Sequence, residues 1–223
     1  LSLICSLKEV NMEATLEEFS KLYPRYASTA FCESCEVLEA EPKNKQDFRR
    51  FVVTGGSGYL LPREFAAESV SFYGKSESPA PMRLNSDGIF FSEVEGRKCL
   101  FVCELKSSFS STQIAHAKEQ IVGTVLRLKA QLSILQTQPD WEFHGVIVSY
   151  APTDNQLMLV NKLTSCDASF SRYLYTKGHK EISVEISRRF YHPMAVPNLI
   201  IHYVAVPDRK TEYQMTLNDL IKL

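Results

Sequence analysis

"RLNSDGIFFSEVEGRKCLFVCELKSS", Arg83 to Ser108, is the stretch on which the fold turns. Two apolar runs, DGIFFSEV and KCLFVCELK, flank the polar EGRK of residues 95–98, the pattern of an antiparallel hairpin reversing at that point. Side chains alternate between the two faces of a strand. Leu100, Val102, Glu104 and Lys106 therefore share one face, and Phe101, Cys103 and Leu105 share the other. Glu104 and Lys106 stand about 7 Å apart along the strand. A strand this apolar reads as central, where burying opposite charges is costly unless they have each other, a metal or a wet cleft. The hairpin also carries the start of its first strand back beside the end of its second. Asp87 is thereby expected across from Glu104 and Lys106, so that two carboxylates and one ammonium converge at one end of a sheet.

Downstream, STQIAHAKEQIVGTVLRLKAQLSILQ reads as the clearest helix in the chain. Ile114, Ala117, Ile121, Val125, Leu128, Leu132 and Leu135 recur every three or four residues along one face. Ser111 or Thr112 is the expected cap, and Pro139 follows the end. FHGVIVSY, residues 143–150, reads as a buried strand, and ISVEIS and NLIIHYVAV add two more. Upstream, MEATLEEFSKLY has Met12, Leu16, Phe19 and Leu22 at helical spacing, with Pro24 as a stop. Residues 40–50 read as loop or helix start, TGGSGY (54–59) as a turn, AESVSFYG (67–74) as a short strand and KSESPAP (75–81) as a surface loop. The order strand, strand, long helix, strand implies an α/β protein with a mixed central sheet flanked by helices. No internal repeat and no convincing linker breaks the chain, so one domain over residues 1–223 is expected.

Bulk composition excludes some function classes. Apolar residues make up 44% and charged residues 23%, which allows an ordinary buried core. A net charge of −1 leaves no global basicity for non-specific nucleic-acid binding, so any such contact rests on a local patch. No apolar run is long enough for a transmembrane helix. LSLICSL, at the start, is short and lacks the basic flank of a signal peptide. The six cysteines lack the spacing of a small secreted scaffold, and a reducing, cytoplasmic setting is expected.

Paired carboxylates suit Mg²⁺ or Mn²⁺, which take oxygen ligands. A lysine beside them can orient or deprotonate a water that the metal has acidified. This is apparatus for metal-assisted hydrolysis of a phosphodiester. The pattern Asp87, hairpin, Glu104-x-Lys106, long helix and strand resembles the PD-(D/E)xK nuclease superfamily, with its restriction-endonuclease-like core. The resemblance covers roughly residues 65–150, with N- and C-terminal elaborations outside it, and Ser86 stands where the family often has proline. It implies metal binding by Asp87, Glu104 and the backbone carbonyl of Leu105, with Lys106 acting on the attacking water. It also implies help from the following helix, Gln120 first and Lys118 second, and a glutamate from an earlier helix, among Glu17, Glu18, Glu64 and Glu68. The implied partner is nucleic acid, DNA foremost, with no membrane. A homodimer or a larger complex in phage defence, mobile-element handling or repair is within the family's range. The alternative is a catalytically inactive nucleic-acid- or protein-binding scaffold that retains the fold.

Glu-x-Lys alone is common by chance. A second copy, Glu41 to Lys43, sits in a polar segment with no aspartate before it, so context separates the two. Cys32 and Cys35 have the spacing of half a zinc site, which Cys99 and Cys103 could complete, although parity puts those two on the face away from Glu104. His116 reads as a solvated or packed histidine, and His144, His179, His192 and His202 form no metal spacing. Basic residues at Arg49–Arg50, Lys177, Lys180 and Arg188–Arg189 are candidate phosphate contacts, and Trp141 and the tyrosines candidate stacking surfaces.

Overall fold

The computed structural model describes residues 12–39, 47–78, 81–137, 140–156, 158, 182–183, 199–207 and 210–223. It is a mixed α/β protein. Its strands are β1 (Thr29–Phe31), β2 (Ser34–Leu38), β3 (Arg50–Thr54), β4 (Gly58–Leu61), β5 (Gly88–Val94), β6 (Arg97–Lys106), β7 (Glu142–Tyr150), β8 (Ile182–Ser183), β9 (Ile200–Val206) and β10 (Glu212–Thr216). The helices are α1 (Met12–Leu22), α2 (Arg63–Lys75), α3 (Ser111–Leu132) and a short C-terminal α4 (Leu217–Lys222).

Seven strands form one sheet in the order β1-β4-β5-β6-β7-β9-β8. The β4, β5 and β6 strands are an antiparallel meander, and β7 and then β9 add in parallel to β6. The helix α3 makes the crossover from β6 to β7 that a parallel pair requires. A second sheet, β10-β3-β2, has three strands. Apolar side chains divide between the two faces of the large sheet. One core joins α1, α2 and α3 to Ile89, Phe91, Leu100, Val102 and Ile147. The other joins the small sheet and α4 to Phe90, Phe101, Cys103, Leu105, Val146 and Val148. The alternation read from LFVCELK is thus the division between two cores, and β6 is buried on both faces.

The hairpin reverses on Glu95 and Gly96, both at positive φ (52° and 78°), which suits the twist of a two-residue β-turn. All seven periodic residues, Ile114 to Leu135, are buried in the first core, although the helix itself ends at Leu132 and Leu135 lies in the turn beyond it. Its cap is one residue earlier than expected. Ser110, in extended conformation, accepts a hydrogen bond from the Gln113 N–H, so the helix begins at Ser111 rather than after it. In α1, Met12, Leu16 and Phe19 are buried while Leu22 is exposed. The segment 67–74, expected as a strand, lies inside helix α2. Phe65 and Ala66 of its first turn are buried against the helical core, and this docking overrides the local strand-like composition. TGGSGY is a turn leading into β4. The Glu41–Lys43 triplet, Lys177, Lys180, Arg188–Arg189, His179 and His192 lie outside the described residues, as does most of ISVEIS. No helix among the described residues is long and apolar enough to cross a membrane.

The segment 81–86, which leads into Asp87, is pressed onto α3 at Gly123. A Cβ there would lie 2.1 Å from the Pro81 carbonyl oxygen and 3.1 Å from that of Leu84. Both obstacles are backbone, so the helix or the segment must move to admit a methyl group. Gly123→Ala is expected to destabilise the fold by about 1–3 kcal/mol, the usual cost of overpacking. A urea denaturation midpoint equal to or above that of the wild type would contradict the close approach.

Candidate active site at the end of the central hairpin

The antiparallel register pairs Gly88 with Cys103, and the Asp87 N–H donates to the Cys103 carbonyl at 3.0 Å. Asp87 therefore stands beside Glu104, as the turn position implied. One carboxylate oxygen of Asp87, Oδ2, accepts the Leu105 N–H at 2.8 Å. The Leu105 side chain enters the opposite core. Lys106 Nζ donates to Glu104 Oε1 at 2.5 Å and to Gln120 Oε1 at 2.9 Å. Gln120 Nε2 in turn donates to the Asn85 carbonyl at 2.9 Å, which ties α3 to the segment before Asp87. Asp87, Glu104, Lys106 and Gln120 are thus gathered at one end of the sheet. Lys118 takes no part in this chain of contacts.

Glu104 is 1% exposed, and its second oxygen, Oε2, has no hydrogen-bond partner. Burial pushes its carboxyl up to about 8, and the neighbouring Asp87 charge adds to the shift, while Lys106 pulls the other way. A smaller contribution comes from a third carboxylate, Glu39, just past β2. Two carboxylates this close and this dry cannot both ionise unless a cation joins them. An orphaned buried oxygen next to a second acid fits an oxygen-ligated divalent ion.

The earlier-helix glutamates are engaged elsewhere or lack a contact with this site. Glu17 accepts from Lys21 on the α1 surface. Glu18 accepts the N–H groups of Gln136 and Thr137, binding α1 to the turn that follows α3. Glu68 accepts from the Tyr26 hydroxyl and faces Arg25. Glu64 is exposed in the first turn of α2. Among the described residues, Glu39 is the further acid whose charge reaches Glu104, and at 65 positions from it nothing in the local pattern marks it.

Arg127 is a positioning residue that periodicity conceals. It is fully buried on α3 and donates to the carbonyls of Met82 (2.8 Å) and Ala66 (3.3 Å) and to Asn85 Oδ1 (2.9 Å). Thr124 Oγ1 accepts the Ser86 N–H at 3.0 Å. Together they fix residues 82–86 and, through them, Asp87. Burial holds the Arg127 guanidinium down at about 10, still charged at neutral pH.

Among the described residues, Cys32, Cys35, Cys99 and Cys103 do not come together as a ligand set. Cys35 and Cys103 are buried within the second core, and burial pushes the Cys35 thiol up to about 12, whereas Cys32 is exposed. Of the surface basic residues, Arg50 is paired with Glu36 and Glu212. His116 is half exposed beside Glu119.

The fold and site define a mixed α/β protein with two acids and a lysine gathered at the edge of its central hairpin. No family model matches the chain, and no curated protein or solved structure matches it either.

Two outcomes test this geometry. Glu104 holds its proton to about pH 8 in the folded chain but releases it near 4.5 when unfolded. Its contribution to stability is therefore complete below about 4.5 and lost as pH rises through about 8, on the order of 3–5 kcal/mol over the window. Buried His144 and His202, held down at about 4 and about 3, act in the opposite sense below pH 6.5, so the comparison must be between variants. In EDTA, Glu104→Gln should be the more stable protein at pH 8.5 by about 2–4 kcal/mol, with the gap closing by pH 5. Parallel stability curves for the two proteins would show that Glu104 is ionised throughout. Arg127→Met should cost about 2–5 kcal/mol, because it strands several buried oxygens; a change below about 0.5 kcal/mol, read by denaturation, would remove its anchoring role.

Proposed function

We propose that this protein is a metal-dependent nuclease of the PD-(D/E)xK type that hydrolyses phosphodiester bonds in DNA, with a restriction-endonuclease-like core. The observation that carries the reading is the unpartnered buried oxygen of Glu104 beside Asp87, with Lys106 held at the same strand end. The sheet pairing supports it too: β4, β5 and β6 are antiparallel neighbours, with α2 between β4 and β5 in the chain, and α3 crosses over to β7, which adds in parallel to β6.

Asp87 and Glu104 would hold a Mg²⁺ or Mn²⁺ ion, with the Leu105 carbonyl completing the protein's set. Such an ion supplies positive charge to the scissile phosphate and lowers the pKa of a water. Lys106 is bonded to Glu104 Oε1 and held from behind by Gln120 Oε1. With Glu104 engaged as a metal ligand, the Lys106 ammonium would be placed to orient the nucleophilic water or the phosphate. Gln120 keeps the amine in line, and Asn85 keeps Gln120 in line. Glu104 must shed its proton for the ion to bind, so metal affinity rises as pH increases toward about 8.

The test is cleavage of single- and double-stranded DNA with Mg²⁺ or Mn²⁺, with and without EDTA. Asp87→Ala and Lys106→Ala are each expected to lower the rate by about 100- to 10,000-fold. An inactive wild type that still binds Mn²⁺ through Asp87 and Glu104 would instead identify a scaffold that keeps the fold and has lost catalysis. Cleavage that survives both substitutions would end the proposal.

A further inference from the structure

At the other end of the same strands lies a second cluster of metal-ligating groups. The parallel register of β6 and β7 pairs Cys99 with Glu142 and Phe101 with His144. Cys99, Glu142 and His144 therefore project from one face of adjacent strands, and one ligand atom from each lies within 4.8 Å of the others. Cys99 is five residues from Glu104 along β6, so the two clusters are about 17 Å apart.

The environment of His144 is that of a ligand lacking its ion. The ring is 1% exposed and stacked between Phe101 and His202. Nδ1 is bonded to His202 Nε2 at 2.9 Å. Nε2 lies 2.9 Å from Glu142 Oε1, yet the oxygen is out of line with the ring nitrogen's axis, and Nε2 makes no hydrogen bond. When Nδ1–H donates to His202, Nε2 is left as a bare lone pair facing Cys99 and Glu142. In the other tautomer Nε2 carries a hydrogen with no acceptor in line. A cation between the three groups satisfies the first arrangement, and a hydrogen bond to the second nitrogen of a ligating imidazole is how such rings are ordinarily held.

Glu142 is set in place in the same manner. Arg97 Nη1 donates to its two oxygens at 2.9 and 3.2 Å. Arg97 also lies 3.7 Å from Glu95, so its charge has a second partner when Glu142 turns toward an ion. Glu142 is partly exposed, so the cluster is open to solvent on that side.

We propose that Cys99 Sγ, Glu142 Oε1 and His144 Nε2 form a second metal site, for a borderline-soft divalent ion of the Zn²⁺ class. Thiolate, imidazole and carboxylate together favour Zn²⁺ over the hard ions suited to Asp87 and Glu104. Binding replaces the thiol hydrogen of Cys99 with the metal and releases one proton to solvent. Water fills the fourth position. The ion would clamp the N-terminal ends of β6 and β7, where the crossover helix delivers the chain into the parallel pair.

Cobalt reads the site directly, because a thiolate ligand gives Co²⁺ a near-ultraviolet charge-transfer band that oxygen ligands do not. The full-length, reduced, metal-stripped protein is titrated with Co²⁺, then with Zn²⁺ in competition. Wild type, Cys32→Ser and Asp87→Asn are expected to show the band, saturating stoichiometrically and displaced by Zn²⁺. Cys99→Ser is expected to lose it while keeping its far-ultraviolet circular dichroism. His144→Gln, which leaves every thiol in place, should weaken Co²⁺ binding at least about tenfold. No band in the wild type, a band that persists in Cys99→Ser, or wild-type affinity in His144→Gln would each overturn the site.

Discussion

The structure depends on a single constraint: β6 has neighbours on both edges and cores on both faces, yet ends in Glu-Leu-Lys. Hydrogen bonding to β5 and β7 fixes the backbone, and the two apolar cores exclude water. The last charges of the strand are therefore dehydrated where they stand. An isolated carboxylate in that position neutralises itself by holding its proton, which is what burial and the Asp87 charge do to Glu104. Lys106 offsets part of this cost with one oxygen of the carboxylate. The other oxygen has no partner, and that imbalance is the chemical character of the site.

Around that imbalance the protein builds a rigid frame. The helix α3 lies against segment 81–86 at Gly123, with no room for a side chain. Arg127, Thr124 and Gln120, spaced along the same helix, each bond to a backbone or side-chain group of that segment. Asp87 follows it directly, and so its carboxylate inherits the position of α3. A buried arginine bonded to neutral oxygens is a costly anchor, and it holds the approach to one aspartate. The same two strands carry a different set of groups at their other end, where Cys99, Glu142 and His144 meet.

Much of the fold was legible, for reasons that differ by element. The hairpin could be read because alternation has a period of two and its turn residues are marked; the helix because seven apolar residues follow one face. The strand expected at 67–74 failed because a run of Ser, Val, Phe and Tyr suits either state, and docking of Phe65 and Ala66 decides for helix. The cap lies one residue earlier than expected, since Ser110, Ser111 and Thr112 in succession all qualify. The candidate glutamates on α1 and α2 were chosen by type and order, but Glu18 and Glu68 serve to join helices to loops. Strands β1 to β4 are three to five residues long, and although burial alternates along β2 and β3, runs this short do not stand out from a loop in the sequence.

The sequence by itself determined the α/β class, the two faces of β6, and the approach of Asp87 to Glu104 and Lys106. All three follow from local rules: alternation along a strand and the return of a tight turn. Only the tertiary structure decided which groups meet across long separations. Glu39 near Glu104, Arg127 beneath Asn85, and Cys99 with Glu142 and His144 depend on strand order and on how helix and sheet pack. Parallel pairing of β6 with β7 is set by a crossover of 35 residues between them, and no local pattern encodes its register.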